Sequence, residues 1–284
     1  MREITPSEIG LVFWAEKNSN DVAGQIERQL SSFGLSAGQL GIPPEVSCDT
    51  AVDAWAAALK SSQVAITSAV CSYQGEDYSD LATVHKTVGF TTPELRADRI
   101  ARTQAVSDFA HALGIGAVSC HIGFIPSDSS EALYTELCEL TQGLCDYCGR
   151  HGQNFVLETG QESAEVLLGF IRDVARTNLK VNFDPANMIM YDSGDPLAAL
   201  DILSPHVVSV HCKDATSPVA GSGLLGSECR LGDGKVDFPA FLAKLKAIQY
   251  RGLLAIEREE QNLAARTADV HTAVARLKQW QAGL

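Results

Sequence analysis

Five residues able to bind a cation or move a proton each close a short apolar run: Val-Ser-Cys-His121, Phe-Val-Leu-Glu158, Val-Asn-Phe-Asp184, Val-Ser-Val-His211 and Leu-Ala-Ile-Glu257. Any one alone reads as a polar residue leaving a strand; five in succession point to a shared site. Carboxylates with imidazole make a mixed oxygen and nitrogen donor set. It suits Mn²⁺, Mg²⁺, Zn²⁺, Co²⁺ or Fe²⁺, and without a thiolate it disfavours a structural zinc. An open, hydrated ion among such groups polarises a carbonyl or hydroxyl and stabilises a developing enediolate. Glutamates on opposite sides of it are placed for proton transfer if the site raises their pKa.

For these residues to meet, the runs that carry them must be strands whose ends converge. Apolar, β-branched runs predict strands at 8–15, 35–41, 64–68, 117–121, 154–158, 179–183, 207–211 and 253–257. Apolar residues at helical spacing predict helices at 93–113, 129–151, 162–177, 196–203, 238–247 and 263–281, with a shorter one at 53–59. Thr92-Pro93-Glu94 is a helix start, a cap followed by proline at the first helical position. Strands apolar on both faces suit a parallel sheet covered by helices. Eight strand-and-crossover units, with no Pro/Gly/Ser-rich linker, match one (β/α)₈ TIM-barrel domain over residues 1–284. In such a barrel the catalytic residues project from the strand C-termini. A doubly wound sheet fits less well, because no G-x-G-x-x-G follows the first strand and eight units exceed the usual six.

Composition narrows the functions further. With 35 acidic against 22 basic residues, the formal charge is −13, and no Lys/Arg-rich run is present. Nucleic-acid binding draws on Lys and Arg contacts to phosphate, so a polyanion partner is not expected. No apolar run approaches the ~18 residues of a membrane span, and the first residues do not read as a secretory signal, so a cytoplasmic location is expected. The eight cysteines are expected as free thiols. Cys145 and Cys148 form a C-x-x-C, but it lies deep in a helical pattern, not at the helix start where a redox pair belongs.

The segments VLETG, VNFDPANMIMY, VVSVHCKDA, RLGDGKVDF and LLAIERE, in that order, resemble the xylose isomerase-like TIM-barrel superfamily. That superfamily includes sugar isomerases and epimerases, inosose dehydratases and endonuclease IV-type AP endonucleases. The resemblance covers roughly residues 8–280 and is strongest from 115 to 258. It implies Glu158, Asp184, His211 and Glu257 as the ligands of one divalent metal ion, with Glu158 and Glu257 also serving as the acid/base pair. It places His121 and Arg230 as substrate-binding residues, His121 more as a hydrogen-bonding pocket residue than as a ligand. Lys213 and Asp214, in H-x-K-D, are expected to position the loop or the substrate.

Two departures from the family pattern matter. Asn187 stands where D-x-x-H would put a histidine, so it is read as a neutral substrate-binding group. Asp233-Gly-Lys235 stands where a trinuclear zinc cluster would need a D-x-H pair. Both argue for one metal and against DNA repair. The expected function is therefore a metal-dependent isomerase or epimerase on a small sugar or cyclitol. The alternatives are a lyase (a dehydratase or keto-sugar elimination enzyme) and a non-catalytic sugar-binding barrel. Loops 74–91, 124–130 and 216–231 are expected at the rim, with Trp14, Phe124 and Tyr191 as stacking surfaces. Glu162 and Glu165 are expected on a solvated face, and the family's habit suggests a homo-oligomer.

Overall fold

The computed structural model describes residues 2–17 and 21–284. In chain order the elements are β1 (Ile9–Trp14), α1 (Val22–Gln29), β2 (Ala37–Ile42), α2 (Cys48–Ser62), β3 (Ala65–Cys71), α3 (Leu81–Thr87), α4 (Pro93–Ala112), β4 (Ala117–Cys120), α5 (Ala132–Arg150), β5 (Asn154–Glu158) and α6 (Ala164–Val174). There follow β6 (Leu179–Phe183), α7 (Pro185–Tyr191), α8 (Pro196–Leu203), β7 (Val207–Cys212), β8 (Asp214–Thr216), β9 (Ser227–Cys229), α9 (Phe238–Ala247), β10 (Leu254–Ile256) and α10 (Leu263–Ala282). Eight strands close on themselves in the order β1-β10-β7-β6-β5-β4-β3-β2, every neighbouring pair parallel. This is the TIM barrel expected from the alternation of strand and helix. β8 and β9 form a separate antiparallel hairpin.

The strands are buried on both faces because helices cover the outside while the inward residues fill the interior. β2 and β6 show this directly: every residue of β2, and all of β6 but Lys180, is buried. Helix starts are fixed by side-chain caps, each satisfying an amide that the helix leaves free: Asp80 on Thr83, Ser163 on Val166, Asp195 on Ala198, Asp237 on Ala240 and Asn262 on Ala265. Outside the sheet, Phe183 stacks on Phe241 at 5.8 Å between ring centroids, tying β6 to α9.

The barrel interior is layered. Val12 lies beside Gln39, and Ala255 beside His211, in strand register. Alternation then puts Val12, Ala37, Ala65, Leu253 and Ala255 in one small apolar plug, apart from the main core. Beside Val12 and Ala255 of this plug lie the hydrogen-bonded polar side chains Gln39, Asn182, Ser209 and His211.

Several elements differ from their expected extents. β3 runs to Cys71, past the expected end at 68, because Ala69, Val70 and Cys71 are buried as well. The short helix expected at 53–59 is the fifteen-residue α2. Helices α1, α3 and α7 and the β8–β9 hairpin are short elements with no individual sequence expectation; α3 falls within the anticipated rim and the hairpin overlaps it. Among the described residues no helix is long and apolar enough to cross a membrane.

Candidate metal centre

Four side chains converge at the C-terminal mouth of the barrel, and each owes its place to a strand end. Glu158 is the last residue of β5; Asp184 and Glu257 immediately follow β6 and β10; His211 is the penultimate residue of β7. One donor atom from each of the four lies within 4.8 Å of all the others. His211 Nδ1 is 3.3 Å from Glu158 Oε1, 3.4 Å from Asp184 Oδ2 and 3.1 Å from Glu257 Oε2. Glu158, Asp184 and His211 are buried, and Glu257 is nearly so. This group could hold a metal ion.

The donor set passes a stricter test. Two of its buried atoms, His211 Nδ1 and Asp184 Oδ2, make no well-aligned hydrogen bond, facing only each other and the neighbouring carboxylates. Buried polar atoms are rarely left unpaired, and both of these point at the same centre. The other edge of each group is fully occupied. Asp184 Oδ1 accepts from the amides of Ala186 and Asn187 at 2.8 and 2.9 Å, which makes Asp184 the N-cap of α7 as well as a candidate ligand. His211 Nε2 faces Gln39 Oε1 at 2.8 Å, so a ring protonated at Nε2 leaves Nδ1 free to bind a cation. The Gln39 side-chain nitrogen and Ser209 Oγ both donate to Asn182 Oδ1, and Asn182 Nδ2 reaches Glu158 Oε2 at 3.4 Å.

The charges answer one another. Burial disfavours ionised Glu158 and Glu257, but neighbouring cations outweigh it. The His211 and His121 imidazoles hold Glu158 below the usual carboxylate range. His211 and the Lys213 ammonium hold Glu257 well below it. For Asp184 burial wins and its pKa is raised. Burial opposes the charge on His211, yet Glu257 and Glu158 raise its pKa well above the ordinary value. Without an ion the imidazolium is the local countercharge, a role that a divalent cation would take over.

The other expected site residues separate into two groups. His121, just past β4, is 3.6 Å from Glu158 Oε1 and lines the cavity above the cluster. Asn187 donates to Glu158 Oε1 at 2.8 Å and lines the same cavity. Lys213, buried, bridges Glu257 Oε2 at 3.1 Å and Glu259 Oε1 at 2.6 Å. Arg230 is not brought to them. Its side chain is 48% exposed and paired with Asp233 at 2.8 Å, outside the residues that line the cavity, because the hairpin turns it outward. Asp214 holds the loop: its two carboxylate oxygens accept from the amides of Ala215, Val236, Gly232 and Gly234 at 2.8–3.0 Å. A β-carbon on Gly234 would come within 2.2 Å of that carboxylate, so only glycine fits.

Of the expected stacking surfaces, Trp14 and Tyr191 line the cavity. Phe124 does not; it stacks face to face on His85 at 3.6 Å and meets Tyr191 edge-on. Glu162 is a correction. It is buried with neither carboxylate oxygen paired, and burial pushes its pKa up to about 8. It precedes the Ser163 cap and turns under the loop, so the helical spacing that put it on a wet face does not yet apply. Glu165, one turn on, is exposed as expected. Gln39, Asn182 and Ser209 carry no local sequence signal, since Gln39 and Asn182 meet His211, and Ser209 meets Asn182, only through neighbouring or facing strands. The cysteines are free thiols, all buried except the half-buried Cys229; burial pushes Cys145 up to about 12 and Cys148 to about 11.

The cavity above the cluster has a volume of about 530 Å³. The rim loop from Tyr73 to Gly89 is held over it by Glu76, which accepts from the amides of Tyr73 and Gly89 at 3.1 and 3.0 Å. Buried Arg99 ties down the carbonyls of Gly89 and Thr87.

Comparison with known proteins agrees with this fold. The family profile described as a xylose isomerase-like TIM barrel matches residues 29–280. A solved structure of a xylose isomerase domain protein from Planctomyces limnophilus is 36% identical, with a TM-score of 0.89, covering 97% of this chain and 98% of that one. The L-ribulose 3-epimerase of Methylomonas sp. (strain DH-1) is 29% identical over 186 residues, 59% of this chain and 58% of that protein. The chain spans 29–58% of the length of the curated relatives it matches. A xylose isomerase-like TIM barrel protein from Mycobacterium smegmatis, solved in complex with magnesium, shares the fold at 15% identity and a TM-score of 0.69, covering 97% of each chain.

Proposed function

The chain belongs to the xylose isomerase-like TIM barrel family, and from that premise we propose that it is a divalent-metal-dependent isomerase or epimerase of a small polyhydroxylated substrate. The observation that carries this reading is the four-donor cluster with its two buried atoms that lack a well-aligned hydrogen bond, opening onto a cavity through two glutamates. Glu158, Asp184, His211 and Glu257 would hold the ion. When bound, it supplies Lewis acidity toward a neighbouring carbonyl or hydroxyl oxygen. The relative named an L-ribulose 3-epimerase and the neighbour solved with magnesium support the substrate class and the metal.

The residues divide the remaining work by exposure. Asp184 and His211 are sealed off and serve only to hold. Glu158 and Glu257 line the cavity and can reach a substrate carbon. One takes the proton next to a carbonyl and the other returns a proton to the opposite face. Asn187 fixes the Glu158 carboxylate and Lys213 that of Glu257, so each approaches from a set direction. His121, beside Glu158, is placed to hydrogen-bond a substrate hydroxyl.

The test is proton exchange. Metal-loaded protein is incubated with ketoses in deuterated water, and deuterium uptake and product mass are followed by mass spectrometry. Glu158→Gln and Glu257→Gln should each lower exchange by about 10³-fold, in the range general acid–base groups contribute. Near-full rates in both variants would remove the assignment, and product lighter by one water would make the enzyme a lyase.

A further inference from the structure

The lining of the cavity is uneven. Its floor is polar, made by Glu158, Glu257, Asn187 and His121. Its apolar lining includes Val70 and Met190 and, exposed at the rim, Trp14, Tyr78 and Leu224. Trp14, Tyr78 and Leu224 are 37%, 41% and 55% exposed, and they are three of the six large apolar side chains exposed among the described residues. Exposed apolar side chains scattered singly need no explanation, but three gathered at one mouth mark a surface built to be covered. They are also held in place. The Tyr78 ring packs on His121 at 5.8 Å, and the Leu81 amide bonds the Gly223 carbonyl at 3.2 Å, joining the two loops that carry Tyr78 and Leu224.

Size and charge restrict what covers them. A single sugar ring of about twelve non-hydrogen atoms displaces roughly 200 Å³, taking each atom at somewhat over half a water's share of the liquid. The cavity of about 530 Å³ leaves more than that unfilled. Lys213 is the one lysine or arginine among the described lining residues, and Glu257 and Glu259 already engage it. Glu76 adds a further carboxylate to the lining, outside the metal-holding group. Away from the ion that Glu158 and Glu257 would hold, a phosphate or carboxylate substituent would meet Glu76 and Glu259 with no free lysine or arginine, while an unsubstituted sugar would leave the aromatic rim wet.

We propose that the cavity takes an uncharged sugar or cyclitol carrying an apolar or aromatic O-substituent, with the substituent seated between Tyr78, Leu224 and Trp14. The placement of the ring over Glu158 and Glu257 rests on the function proposed above; the substituent site rests on the rim alone.

Calorimetric titration of the metal-loaded full chain with methyl β-D-glucopyranoside, phenyl β-D-glucopyranoside and glucose 6-phosphate tests it. The phenyl glycoside should bind about tenfold tighter than the methyl glycoside, the ratio given by a ring contact worth about 1.4 kcal/mol. The phosphate should bind weakest. Leu224→Ala should reduce the phenyl preference and leave methyl glycoside binding unchanged; Tyr78→Ala should also reduce the preference, whereas Tyr78→Phe should retain it. Equal affinities, no binding of either glycoside, tightest binding of the phosphate, or an equal loss of both glycosides in the variants would overturn the proposal. So would rim variants that only dissociate a dimer, since a second copy would then be what covers the rim. Deuterium exchange into an unsubstituted ketose without any phenyl preference removes this inference and leaves the isomerase reading standing. A phenyl preference without exchange in any ketose does the reverse.

Discussion

Replacing Gln39 by leucine should weaken metal binding without disturbing any of the four donors. Gln39 is fully buried on β2, and its Oε1 is 2.8 Å from His211 Nε2. That contact selects the ring tautomer with Nδ1 bare, the atom that faces Glu158, Asp184 and Glu257. With leucine there, the Nε2 proton has no acceptor; the nearest remaining polar atom is Asn182 Nδ2 at 3.0 Å, itself a donor. Loss of such an outer partner costs about 10–100-fold in metal affinity, or about 1.4–2.8 kcal/mol. At a metal concentration 100 times the parent Kd, the stabilisation by the ion should fall from about 2.7 kcal/mol to about 1.4 for a tenfold weakening, and to about 0.4 for a hundredfold one. Calorimetry with Mn²⁺ on chelator-stripped protein reads the affinity. Melting curves with and without metal read the stabilisation, at roughly 2–4 °C per kcal/mol for a chain of this size. Gln39→Glu, which keeps an acceptor, should retain more affinity than leucine. If Gln39→Leu folds and binds Mn²⁺ like the parent, His211 needs no acceptor and Gln39 is packing only.

Two further substitutions probe groups around the site. Glu162 has a folded pKa of about 8 against an ordinary 4.5, so the folded state holds the extra proton between those values and stability falls as pH rises from about 4.5 to 8. Glu162→Gln should remove that slope and raise stability above pH 8 by up to about 5 kcal/mol, with the gap closing by pH 5; a Tm gain of the same size at pH 5 and pH 9 would sink the argument. Asp214→Asn turns two of the four amide contacts of that carboxylate into donor-against-donor contacts. The cost should be about 2–4 kcal/mol, a Tm lower by roughly 5–15 °C, with metal affinity nearly intact; an unchanged Tm would show that the turn is held by other means.

What could be read from the sequence was whatever repeats locally. All eight barrel strands were legible because β-branched apolar runs buried on both faces look alike wherever they occur, and the residues ending five of them stood out as titratable. The short α7 was not legible because a single residue, Asp184, both ends a strand and caps the helix, leaving no loop to mark the change. The three-residue strands β8 and β9 are too brief for alternation to show. Glu162 was misplaced because a helical pattern was extended back past its cap at Ser163. Gln39 could not be found at all: between Gly38 and Leu40 it looks like an ordinary strand residue, and its meaning comes from an imidazole that only barrel closure brings near.

The donors come from four neighbouring strands, β5, β6, β7 and β10, whereas the facing wall is drawn from β1, β3 and the loops carrying Tyr78 and Leu224. Gln39 crosses from the second side to brace the first. This arrangement separates inheritance from innovation. The residues at 72–79 other than Glu76, and those at 224–227, can be varied while the strands that carry the donors keep their register. A library confined to those two loops is accordingly where new specificities should be sought, with Gln39 held constant.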